Sequence, residues 1–183
     1  MFSHVQNIMK NISPLLKVFI LFFLLLPANL YGQTDYRVQS MFIYNFTTMV
    51  SWPAEYQSGD FIIAVFSDDQ MYNEFQTLSE RRSVGGRNIV ANHFSSVNQI
   101  TKCHILYVPT RQARVLPDIV NHLKARNINA LIITDARGTI RNGSVINFTI
   151  QHDRQRFEVS QRNARNMGLT LGGEILRLGI AMD

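Results

Sequence analysis

The side chains able to do chemistry in this 183-residue chain are few and widely spaced. Four histidines follow the first 32 residues, His93, His104, His122 and His152, and no two share the helical spacing that builds a zinc site. Each reads as a surface or edge residue. Cys103 is the single cysteine, which excludes a disulfide scaffold and any metal site built from several thiolates. In Cys103-His104-Ile105-Leu106-Tyr107-Val108 it reads as a small core hydrophobe, with pairing between chains as the alternative for an exported thiol. Glycine-rich nucleotide loops and a G-x-S-x-G elbow are both missing, so phosphate cradling and the simplest serine-hydrolase chemistry lack their residues. The expectation is a non-enzyme with no metal and no cofactor.

Two groups remain. Asp68-Asp69 follows one apolar run and Asp135 another. In open α/β sheets ligands bind beyond the carboxyl ends of strands, so Asp68, Asp69 and Asp135 are candidates for a cleft that takes a metal or a small cationic ligand. The competing reading is that they cap helices or tighten turns. The second group is aromatic: Phe42, Tyr44, Phe46 and Trp52. Core packing is the default for such a stripe, and a partner interface is the functional alternative, because aromatics are enriched there.

These residues need elements to hold them. Tyr36 to Val50 repeats apolar residues at spacings of three and four, the pattern of an amphipathic helix that Trp52-Pro53 ends. Phe61–Phe66 is a continuous apolar run, as expected of a strand covered on both faces. A helix over Met71–Ser79, strands over Arg87–Phe94 and Ile105–Val108, a helix over Leu116–Lys124 and a strand over Ala130–Thr134 follow. Strands at Val145–Ile150 and Arg156–Val159 flank a turn at Gln151–Gln155. Helices at Ser160–Met167 and Gly172–Gly179 close the chain, the second placing Ile175, Leu176 and Leu178 inward. Alternating helices and strands predict an α/β fold. Its expected form is a three-layer α/β/α sandwich, with a mostly parallel sheet and an antiparallel C-terminal hairpin.

Residues 1–32 stand apart. Lys10 and Lys17 are their only charges, and Val18–Leu26 is wholly apolar before Pro27-Ala28-Asn29. A positive start, a short apolar core and small residues describe a cleaved secretory signal. Nine apolar residues fall well short of the roughly 20 that span a bilayer, so no membrane anchor is expected to remain. Export leaves one domain over 33–183, with 16 basic and 13 acidic residues. Its arginines are scattered, which argues against nucleic-acid binding.

One resemblance gathers these pieces. Val38-Gln39-Ser40-Met41-Phe42-Ile43-Tyr44-Asn45-Phe46, running into Ser51-Trp52-Pro53, resembles the opening of the YfiR-like family of bacterial periplasmic proteins. The likeness continues through Ile62–Asp69, Cys103–Val108, Gly143–Phe148, Arg156–Val159, Gly168-Leu169 and Ile175–Leu178. It implies a periplasmic regulator acting by contact on an inner-membrane signalling protein, such as a diguanylate cyclase or a sensor kinase, through that protein's periplasmic region. It also implies links to cyclic di-GMP and biofilm growth, and a possible homodimer. Ala64 stands where relatives often carry cysteine, so the resemblance implies one disulfide fewer here. Ser160 replaces a family asparagine, and Gly172-Gly173 a serine pair, at expected helix starts.

Overall fold

The computed structural model describes residues 35–182; the expected signal segment lies outside them. Helix α1 (Tyr36–Phe46) begins at Asp35, whose carboxylate accepts from the Val38 N–H at 3.1 Å. It ends earlier than its apolar pattern suggests. The hydroxyls of Thr47 and Thr48 bond back to the carbonyls of Tyr44 and Asn45, at 2.7 and 2.9 Å, and compete with the backbone ladder. The chain then extends into β1 (Val50–Ser51), a correction to the expected helix over Tyr36–Val50.

Strand β2 (Phe61–Phe66) leads to α2 (Asp69–Ser79). A short β3 (Ser83–Val84) turns through Gly85-Gly86 into β4 (Arg87–Phe94). Next come β5 (Ile105–Val108), α3 (Leu116–Ala125) and β6 (Leu131–Thr134). The last third holds β7 (Ile146–Gln151), β8 (Arg154–Val159), α4 (Gln161–Asn166), β9 (Thr170–Leu171), α5 (Gly173–Leu178) and β10 (Ile180–Ala181). Ser160 and Gly172 are the caps of α4 and α5, as expected.

This is a mixed α/β fold. Eight strands form one sheet in the order β10-β8-β7-β6-β5-β2-β4-β3, and β1 pairs with β9 in a second. Strand β2 lies parallel to β4 and β5, β5 to β6, and β6 to β7. Strands β7 and β8 form an antiparallel hairpin. Its strands are longer than their apolar residues indicate. They run to Gln151 and Arg154, and only His152-Asp153 turn, both with positive φ. Such a turn normally calls for Asn-Gly or Gly-Gly, so the His-Asp pair carries little sequence signal.

All residues of β5 and β6 are buried, as their unbroken apolar runs require. Polar groups among them are paired. Thr134 Oγ1 meets Thr139 Oγ1 at 2.6 Å, Ser144 Oγ at 3.0 Å and Asn147 Oδ1 at 2.9 Å. Cys103 is buried, and burial pushes its thiol up to about 12, which keeps it in the unreactive protonated form.

His104 corrects the reading of the histidines as surface residues: it is buried at the start of the sheet. Its peptide N–H donates to the Ile62 carbonyl at 2.9 Å, and its carbonyl accepts from the Leu131 N–H at 2.8 Å. Ring Nδ1 accepts from the Ile62 N–H at 3.0 Å, so the proton sits on Nε2, which donates to the Tyr56 carbonyl at 3.0 Å. The ring stacks on Phe61 with centroids 4.2 Å apart, and Trp52 and Tyr56 meet it edge-on. Burial lowers its pKa below the ordinary 6.5; Arg87 and Lys102 act in the same direction, and the Tyr56 carbonyl opposes them.

Neutral His104 therefore gives its full stabilisation above the ordinary imidazole pKa. That contribution declines as pH falls below it, because the unfolded chain takes up a proton the folded chain resists. Thermal midpoints of the wild type should drop between pH 7.5 and 5, and those of His104→Gln should drop less steeply. Parallel pH profiles for the two would remove this role.

Candidate functional site

The carboxyl ends of β2, β5 and β6 bring together part of the acidic set. Asp68 is fully buried and caps α2, accepting from the Met71 N–H at 3.1 Å. Its other oxygen accepts from the Tyr36 hydroxyl at 3.1 Å and faces Arg111 Nη1 at 3.3 Å. Asp135 accepts from the Tyr107 hydroxyl at 2.9 Å and from the Thr110 N–H at 2.6 Å. Gln39 of α1 takes the same Tyr107 hydroxyl at 3.2 Å. Burial raises the pKa of both tyrosines, and each feels the charges of Asp68 and Asp135, so the two carboxylates share one neighbourhood.

Tyr36 and Gln39, both on α1, reach into this neighbourhood through these hydrogen bonds. Asp68 therefore follows the capping alternative. Asp69 points elsewhere, to His93 Nε2 at 3.2 Å, with its side chain largely exposed. Among the described residues no group of three or more His, Cys, Asp or Glu is placed to hold a metal.

The aromatic set also divides. Trp52 is core, 7% exposed, and its indole N–H donates to the His104 carbonyl at 2.9 Å. Phe46 is buried against Phe157, ring centroids 5.0 Å apart, and against Phe148 at 6.2 Å. Tyr44 donates its hydroxyl to the Ser83 carbonyl at 3.1 Å, under the guanidinium of Arg82. Trp52 and Tyr44 thus each hold a distant backbone carbonyl. Phe42 is half-buried and lines an open surface, with Phe46 beneath it.

That surface is a trough with two neighbouring hollows, which share Phe42 and Asn45 in their linings. The upper one, about 410 Å³, is lined by Asp35, Arg37, Val38, Met41, Phe42 and Asn45. A lower one of about 190 Å³ runs between α1 and β8, over Phe42, Phe46, Met49, Arg156, Phe157 and Leu178. Met41 is 43% exposed, Val38 38% and Leu178 47%. Leu178 is a correction, since its helix was expected to turn it inward. Helix α5 is only six residues long and buries Ile175, which leaves its final turn against the trough.

Val38, Met41 and Met49 belong to the helical pattern of the sequence but are not among its aromatic interface candidates. The signal was present: Val38, Met41, Phe42, Asn45 and Met49 are spaced by three and four, a second stripe beside the buried one of Gln39, Ile43 and Phe46.

The model of the YfiR/HmsC-like family matches residues 36–180, nearly all of the described chain. The chain belongs to that family. YfiR/HmsC-like proteins are regulatory rather than catalytic, in keeping with a site built of apolar and paired polar side chains. No curated protein matches the sequence. No helix among the described residues is long and apolar enough to cross a membrane.

The paired state of Asp68 sets an expectation. Asp68→Ala should lower the unfolding free energy by about 2 kcal/mol, through loss of the cap and of the Tyr36 bond. Asp68→Asn should recover about half of this, because its single amide oxygen can still cap α2 while its N–H₂ replaces the acceptor that faces Tyr36. Urea titration measures both. Equal losses would show that the charge facing Arg111 matters more than the cap.

Proposed function

We propose that this chain is a periplasmic regulatory protein that controls a membrane-bound signalling enzyme by direct contact. The enzyme is a diguanylate cyclase or a sensor kinase, and the controlled output is cyclic di-GMP signalling and biofilm growth. Export through a cleaved signal at residues 1–32 delivers one domain, 33–183. Parallel pairing of β4, β2, β5, β6 and β7 supports reading that domain as a three-layer sandwich. The observation that carries the functional reading is the apolar stripe left open on α1, in a chain of a regulatory family. Regulation needs differential affinity: the trough holds the inactive state of the partner more tightly and shifts its population.

Val38, Met41 and Phe42 are the contact residues, because Phe46 and Trp52 have their own work in the core. Exposed Met41 can be changed without opening a cavity. Affinity capture from detergent-solubilised membranes of the native host should retrieve a signalling enzyme with wild-type protein. Met41→Asp should reduce that capture by on the order of tenfold or more, at an unchanged thermal midpoint. Capture of the same enzyme at wild-type level by Met41→Asp would rule out the α1 face, and failure of the wild type to retrieve any signalling protein would overturn the reading.

A further inference from the structure

Exposed aliphatic residues on a helix ask for a particular shape. From Val38 to Asn45 the open stripe of α1 covers about 10 Å at 1.5 Å per residue, about two helical turns, and Met49 continues the apolar lining past the helix end. Val38, Met41, Phe42 and Asn45 recur at helical spacings, and Phe42 and Asn45 line both hollows. Ridges at this spacing interlock with the ridges of another helix lying alongside. One wall is α1 and the other is the β8 edge of the hairpin with Leu178, so the trough has the form of a helix-receiving groove.

Charge selects the occupant further. Arg37 lines the upper end, Arg156 lines the lower, and Arg154 continues from Arg156 along the hairpin. The ion pairs His93–Asp69 and Arg111–Asp68 involve none of these three guanidinium groups. The sole carboxylate lining the trough is Asp35, already committed to capping α1. Three arginines around an apolar floor complement a partner that is apolar on one face and acidic on its flanks. A second copy of this chain fits poorly, since α1 facing α1 would set Arg37 and Arg156 against the same arginine-rich rim.

We infer that the trough receives an acidic amphipathic α-helix of the regulated membrane protein, with its aliphatic face on Val38, Met41 and Phe42 and its carboxylates toward Arg37 and Arg156. This rests on the contact reading above and specifies the partner's chemistry at that site. Arg37 and Arg156 set orientation and partner choice; the apolar floor supplies most of the affinity.

In the native host, the full chain carrying a photoreactive benzophenone residue at position 41 should crosslink to one membrane protein. The mapped adduct should lie in a helical segment bearing Asp or Glu. The same residue at position 77, on the exposed face of α2, should give no such adduct. Arg37→Glu with Arg156→Glu should cut the yield at position 41 on the order of tenfold, and exchanging the partner's acids for arginine should restore it. An adduct on a second copy of this chain, on a strand, or on a basic segment would overturn the inference. So would absence of any adduct at position 41 while membrane capture still retrieves the enzyme, and that result would leave regulation by contact standing. Loss of both capture and crosslink would remove the contact reading itself.

Discussion

His104 has five hydrogen-bonding partners within reach of its backbone and ring, and the start of the sheet is assembled around them. Its peptide groups join Ile62 of β2 to Leu131 of β6, while its ring nitrogens hold the Ile62 N–H and the Tyr56 carbonyl. Trp52 adds its indole N–H to the same carbonyl that Leu131 uses. An indole N–H in a core must find an acceptor, and this one fixes where the chain crosses after α1. Because Trp52 and Tyr56 are anchored there, the 50–56 segment cannot slide, and α1 is held at its carboxyl end.

The amino end of α1 is held by different chemistry. Tyr36 and Gln39 reach across to Asp68 and Tyr107 at the opposite, carboxyl ends of the strands. Between these anchors Phe46 packs on Phe148 and Phe157, edge-on and offset contacts worth about 0.5–1.5 kcal/mol each beyond their buried area. One face of the helix is thus fully used, and this has two consequences for function. Helix α1 bonds to Asp68 and Tyr107 at the carboxyl ends of the strands, and it presents its remaining apolar stripe outward from a packed support. Rigid support lowers the entropy lost on binding, which is how a modest apolar area gains affinity.

Much of this was legible in the residues alone. Unbroken apolar runs gave β2, β5 and β6, and capping chemistry placed Asp68 at a helix start. Other parts were not legible. Thr47 and Thr48 turned back on the helix and shortened it, a competition that apolar spacing does not register. The His152-Asp153 turn lacks the glycine that marks such hairpins, so the strands beside it were read too short. Four aromatics looked equivalent as a possible interface, yet two are held by hydrogen bonds to distant carbonyls and a third is core.

Secondary structure, the position of the caps and membership of the YfiR/HmsC-like family followed from local pattern, because spacing and side-chain type act over a few residues. Which apolar residues remain outside was decided only in three dimensions. Val38 and Ile43 are alike to a sequence scale, but Ile43 faces the sheet and Val38 does not. His104 and His122 look alike too, and only the packing of Phe61, Trp52 and Tyr56 makes the first of them a neutral, buried link between strands. Exposure and pKa depend on neighbours brought from tens of residues away, and the folded chain alone supplies those neighbours.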